Sequence, residues 1–272
     1  MQGRHEGPVE IERGMYGPDV TFLGVPRTEL GATGLDVVFI GAPYDGGTSH
    51  RPGARFGPQA IRTTDSLPHD ASRPHLALGV DPLAELRCAD IGDVMMPPVD
   101  TDTSLRRLIE SGAVRGDRFL QIGLRGYWPE PPTLAWMAEQ RMRSFEMSEI
   151  VARGMDDCLT EAFAIATDEC DGVFLSVDID VVDPGMAPGT GTPEPGGLTG
   201  RQLLDAVRRI AMSVPLVAVE VVEVSPPFDH AEVTAFLGNR VVLEALSGIA
   251  WRRRQQAGSP VRRPDSPLLE GR

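Results

Sequence analysis

The sequence predicts an α/β protein built on a mostly parallel sheet. Two observations carry this reading. Val173, Phe174, Leu175, Val177 and Ile179 form an apolar, β-branched run too short for a helix, as expected of a strand buried on both faces of a parallel sheet. Helical patterns alternate with such runs: Met155, Leu159, Ala162, Phe163 and Ala166 recur at helical spacing, as do Leu203, Leu204, Val207, Ile210 and Ala211 behind the capping box Thr199–Gln202. With 272 residues, 41% of them hydrophobic, one sizeable core and one domain are expected.

In chain order, residues 1–33 read as an irregular arm, and residues 34–250 as the α/β domain. Leu35–Ile40 is the first strand, and the glycine-rich loop 41–58 follows, with Arg51 and Arg55 expected to fix it by pairing with carboxylates. A helix opens at Pro58. His50, His69 and His75 lie in loops with no spacing that points to a metal. A second strand ends at Asp90 and Asp93, read as turn and capping groups. Further strands are expected at 117–126, 142–147 and 216–224, and a helix at 133–140. Trp128 and Trp136 are expected to pack. Asp229 and Glu232 are read as caps of a final helix, and 251–272, with six arginines, as a mobile tail.

The net charge of −13 argues against nucleic acid as a partner. All 26 basic residues are arginine, which excludes Schiff-base and P-loop lysine chemistry. Three cysteines without metal-ligand spacing suit reduced thiols in a cytoplasmic protein. No membrane partner is expected.

The chemistry concentrates at Val173–Thr199. Residues two apart on a strand project together, so Asp178 and Asp180 should meet at the strand's carboxyl end, where open α/β sheets place ligands. A carboxylate pair binds hard divalent cations. Alternatively, both carboxylates hydrogen-bond to nearby backbone N–H groups.

The wording S-V-D-I-D-V-V-D-P resembles the second metal motif of the ureohydrolases, the arginase and agmatinase family. Three further stretches resemble the same family: GAPYDGGTSHRPGARFGPQAIR from Gly41, QIGLRG from Gln121, and VEVVEVSPPFDH from Val219. The resemblance implies a three-layer α/β/α fold of arginase type. It also implies a reduction: between Val94 and Arg107 the family's G-G-D-H-S and D-A-H-x-D strands have no equivalent, and the family's H-G-T histidine falls on Thr101. Two central strands and four of six metal ligands are thus expected to be missing. By the same resemblance Glu223 is the position that accepts a guanidinium, with an ion pair to one of the chain's arginines as the other reading.

The expectation is a chain without catalytic residues or a resident metal of its own, in which Asp178 and Asp180 are a residual metal site. It would join an intact, metal-bearing paralogue in a hetero-oligomer of the trimer or hexamer class, the paralogue carrying nickel or manganese. This arrangement is similar to heteromeric metformin hydrolases, with their unequal subunits. The alternative is a divergent agmatinase-like hydrolase working with one metal on Asp178 and Asp180.

Overall fold

The computed structural model describes residues 20–64, 73–95, 109–112, 114–127 and 129–258. The arm before residue 20, His69, Thr101, Trp128 and the tail from residue 259 lie outside the described residues.

Six strands form three parallel pairs, each a strand–helix–strand unit. In the first, β1 (Val37–Gly41) pairs with β2 (Cys88–Asp93), with α1 (Gly57–Thr63) and α2 (Pro82–Glu85) between them. In the second, β3 (Leu120–Leu124) pairs with β4 (Arg143–Glu146) across α3 (Pro131–Glu139). The helices α4 (Met147–Arg153) and α5 (Met155–Ala166) lead to the third, where β5 (Val173–Asp178) pairs with β6 (Leu216–Val222) across α6 (Gly200–Ser213). The chain then enters α7 (Val233–Gln256).

The parallel α/β architecture follows the sequence-based expectation, and three details differ. Among the described residues no strand of one pair hydrogen-bonds to a strand of another, so the sheet is three ribbons rather than one. The outer edge of β2 is capped, because Arg27 bridges to Asp90 and Thr28 donates its N–H to the Asp90 carbonyl. Among the described residues no strand pairs with the free edges of β1, β3, β5 and β6. Second, β5 is buried on one face only. Leu175, Val177, Val219 and Val221 turn toward Leu203, Val207, Val241 and Ala245, but Phe174 on the other side is 58% exposed. Ile40 of β1 and Val217 of β6 are likewise open at 52% and 73%. Apolar strand residues left exposed mark a sheet face that none of the described helices covers. Third, α7 continues six residues past Ala250, so the stretch expected to be tail begins as helix. Its 24 residues are apolar enough to resemble a membrane span, and burial against the cores accounts for that composition.

Helix α7 joins two cores. Ala235, Val241 and Ala245 pack with Val177, Ile179, Leu203 and Val207, while Leu246 and Ala250 pack with Phe22, Leu23, Val80 and Cys88. The arm residues Phe22 and Leu23 are therefore core. The second unit has its own small core of Phe145, Ile150, Cys158 and Ala162. It is tied on by Arg209 of α6, which donates to Thr160 and to the carbonyl and carboxylate of Asp156 on α5.

Helix ends follow local sequence. Thr199 and Gln202 form the expected capping box of α6. Asp229 accepts the N–H groups of Thr234 and Ala235 and so caps α7 as expected. Glu232 instead stands at the N-cap in a left-handed conformation without a capping hydrogen bond, because Asp229 already takes those donors. Asp90 and Asp93 are more than turn groups. Arg62 of α1 reaches 28 residues ahead to both Asp90 oxygens and also to Asp93. Asp90 is fully buried, yet its carboxyl lies below the usual carboxylate range: burial works against the charge, and the hydrogen bonds from Arg62, Phe22 N–H and Gly92 N–H prevail.

Helices α6 and α7 meet at Gly248, where a Cβ would stand 2.5 Å from the Ala211 Cβ and 2.9 Å from the Arg208 carbonyl oxygen. Gly248→Ala should therefore push the helices apart and cost about 1–3 kcal/mol in urea unfolding, the usual range for overpacking. A loss below about 0.5 kcal/mol, the scale of an ordinary surface change, would show that this contact is not a constraint.

Candidate metal centre

The three pairs direct their carboxyl ends toward one region. Strand β5 ends at Asp178, and Ile179–Val181 turns as a 3-10 helix. Asp180 is therefore not a strand residue, and the i, i+2 strand geometry expected for the two aspartates does not hold. The cause is local: the Asp178 carboxylate accepts the Asp180 N–H at 3.0 Å, which curls the backbone. The expected backbone partner of the carboxylates is thus found for Asp178. Thr192 donates its hydroxyl to Asp180 at 3.2 Å. Arg125, just past β3, donates to the carbonyls of Asp180, Glu194 and Pro195, strapping the second unit to this loop. Sequence reasoning missed that strap, since only R-G after a strand signals it.

Glu223 follows β6 with φ at 63°, a left-handed conformation uncommon for a residue with a Cβ. A Cβ on Gly191 would be 3.0 Å from its Oε2, so the carboxylate lies close over backbone. Among the described residues no arginine pairs with Glu223, which disfavours the ion-pair reading. Glu220, three residues earlier, instead faces solvent and accepts the Ser176 hydroxyl at 2.7 Å. Asp45 is buried in the loop after β1, where Arg55 binds both its oxygens, as expected of a loop-fixing pair. Arg51 places its guanidinium 5.3 Å from the centre of the Phe228 ring.

Three carboxylates thus gather with little to neutralise them. Lost solvation pushes the Asp178 carboxyl up to about 8, and the charges of Asp180 and Glu223 add to the rise against the Asp180 N–H. Burial also raises Glu223, helped by Asp180 and Asp45.

A hydrolytic pair of metal ions needs more ligands than this. Among the described residues no set of three or more His, Cys, Asp or Glu side chains is placed to hold a metal. His50 and His230 are exposed, and His75 is held elsewhere, accepting the Leu78 N–H at Nδ1 and meeting Glu244 at 2.8 Å through Nε2. With one oxygen of each aspartate already hydrogen-bonded, Asp178 and Asp180 suit at most one hard cation that keeps most of its water, and do not fit a dinuclear pair.

Parallel strand–helix–strand units with acidic residues at the carboxyl ends define an α/β protein with its ligand region at those ends. Within that class the chain belongs to the arginase family, whose sequence profile matches residues 35–111 and 102–248. It is 32% identical to the proclavaminate amidinohydrolase of Streptomyces clavuligerus, covering 79% of this chain and 88% of that one, and 31% identical to a guanidinopropionase of Pseudomonas aeruginosa, covering 76% and 85%. The solved structure of the Streptomyces enzyme superposes with a TM-score of 0.77 at 29% identity, covering 88% of this chain and all of that one. A formimidoylglutamase structure from Bacillus subtilis shares the fold with a TM-score of 0.75 at 22% identity. The first alignment runs over 285 positions, of which 79% of 272, about 215, are residues of this chain. About seventy positions of the relative therefore face no residue here, and the two profile matches meet at 102–111, between β2 and β3.

The crowded carboxylates make a prediction for the metal-free chain. A carboxyl raised in the folded state contributes stability below about pH 4 that is lost as pH rises toward 8. Asp178→Asn keeps the acceptor for the Asp180 N–H and cannot ionise, so thermal melts at pH 8.5 should rise by a few degrees, about 1 kcal/mol, while melts near pH 4 stay unchanged. Equal shifts at both pH values would contradict the crowding.

Proposed function

We propose that this chain is a non-catalytic subunit of a heteromeric, metal-dependent amidinohydrolase. An intact paralogue carries the metal pair, nickel or manganese, and hydrolyses a guanidino or biguanide compound, such as metformin, to urea or a urea derivative plus an amine. The observation that carries this reading is the pairing of retained and missing parts. The loops around Asp178, Asp180 and Glu223 keep the family's wording, while the described residues offer too few ligands for two metals. The relatives support the reaction class: each is a hydrolase of a guanidino or related compound by name. The buried Cys88, whose thiol is pushed up to about 11 by burial, and the buried Cys158 suit a cytoplasmic chain with inert thiols.

A second reading has one observation in its favour. Glu223 has no cationic partner among the described residues, as a guanidinium acceptor would require, so the chain could be a divergent hydrolase using one cation on Asp178 and Asp180.

Co-expression with an intact ureohydrolase paralogue decides between the two. The chain alone, with Mn²⁺ or Ni²⁺ and a panel of guanidines and biguanides, is expected to release no urea, and the complex is expected to release it. Within the complex, Asp178→Asn should leave turnover within about twofold, whereas loss of a metal ligand in the paralogue should lower it by about a hundredfold or more. Turnover by this chain alone, abolished by Asp178→Asn, would establish the second reading.

A further inference from the structure

The end of the third unit opposite the carboxylates holds a half-open cavity of about 220 Å³, formed by the last turns of α6 and α7 and the start of β6. Its floor is apolar: Ala211 on α6, Val214 just after it, Leu216 on β6 and Ile249 on α7. Arg252, Arg253 and Gln256, all on α7, form its rim. Strand β6 leads away from the cavity for its 7 residues, roughly 20 Å, before the chain reaches Glu223. The cavity is therefore separate from the region of Asp178, Asp180 and Glu223.

We propose that this cavity binds a small carboxylate with a branched apolar tail, its carboxylate on Arg252 and its tail on the floor.

The surroundings of Arg252 are the first observation. Buried and half-buried arginines elsewhere in the chain meet oxygen: Arg62, Arg143 and Arg208 pair with carboxylates, and Arg125 donates to three carbonyls. Arg51, which lacks such a partner, rests over the Phe228 ring. The neighbours of Arg252 on α7 are paired as well, Arg253 with Asp36 at 2.9 Å and Arg254 with Glu85 at 2.8 Å. Arg252 is half-buried, and among the described residues it makes no hydrogen bond, ion pair or ring contact. An arginine placed only to serve the carbonyls of a helix end would donate to one of them. Taking a guanidinium partly out of water without a partner is costly, and a chain of net charge −13 is rich in carboxylates that would serve. Arg252 instead keeps its donors for an anion from outside the chain.

The shape and lining of the cavity are the second observation, and they set the ligand class. One water takes about 30 Å³ of the liquid, so the space suits roughly seven non-hydrogen atoms. Four apolar side chains offer no hydrogen bond, and the polar atoms of a sugar or a phosphate would go unpaired against them. The part of the ligand that reaches the floor is accordingly hydrocarbon. One guanidinium holds one carboxylate through two parallel N–H donors, while Arg253 is already neutralised by Asp36. This site is independent of the subunit reading, and its test reads binding alone.

Titration calorimetry of the full chain with 3-methylbutanoate, a branched carboxylate of matching size, is the test. A Kd of about 1 mM or tighter is expected, with amide NMR shifts changing at Ala211, Val214, Leu216 and Ile249. The alcohol 3-methylbutan-1-ol has the same tail without the charge and should bind at least about tenfold more weakly. Arg252→Gln should lower the affinity for the carboxylate about tenfold with unchanged circular dichroism, and Arg252→Lys, which keeps the charge, should recover part of that loss. Absence of saturable binding at about ten times the expected Kd, shift changes confined to other residues, equal binding of the alcohol, or affinity indifferent to Arg252→Gln would each overturn the inference.

Discussion

The packing of α7 against α6 and beneath two cores is the constraint on which the structure depends. In a continuous parallel sheet, ladder hydrogen bonds join neighbouring units. Here no ladder crosses from one pair to the next, so side-chain burial does that work from one side. Gly248 lets α7 approach α6 closely, and the residues on either side of it reach the first and third units at once. The second unit, with its own small core, depends on polar straps, Arg209 to α5 and Arg125 to the Asp180 loop. The molecule is bound tightly along one layer and open along the other.

That asymmetry explains the chemistry at the carboxyl ends. Asp178, Asp180 and Glu223 come from one unit and are positioned by its turns. What they lack is counter-charge. In a complete site a cation would offset their mutual repulsion, whereas here the folded chain answers by favouring the protonated form of Asp178. Among the described residues this carboxylate cluster lacks the ligands that a pair of metal ions needs.

Features set by local sequence were legible in advance. The capping box at Thr199, the helix Met155–Ala166 and the Asp229 cap depend on residues within about ten positions of one another, and each was found where expected; of the two loop arginines expected to pair with carboxylates, Arg55 does so, with Asp45, while Arg51 stands over the Phe228 ring. Features set at a distance were not. Arg62 and Asp90 are 28 residues apart, Arg125 and Asp180 are 55 apart, and neither spacing marks a partner. The geometry of Asp178 and Asp180 was misjudged because strand periodicity ignores a side chain that captures its own backbone two residues on. The burial of β5 was misjudged because an apolar run states what a strand can bury, not whether the covering chain is present. The family wording was legible as membership of the arginase family, which the profile match over residues 35–111 and 102–248 bears out.

Amide hydrogen exchange on the isolated full chain tests the open sheet most directly. In a parallel strand, alternate residues direct their N–H groups to opposite edges. The account predicts alternating protection along Val173–Asp178 and Leu216–Val222, slow where β5 and β6 face each other and fast on their free edges. Uniform protection of every amide in both strands would contradict it, because those edges would then already have partners.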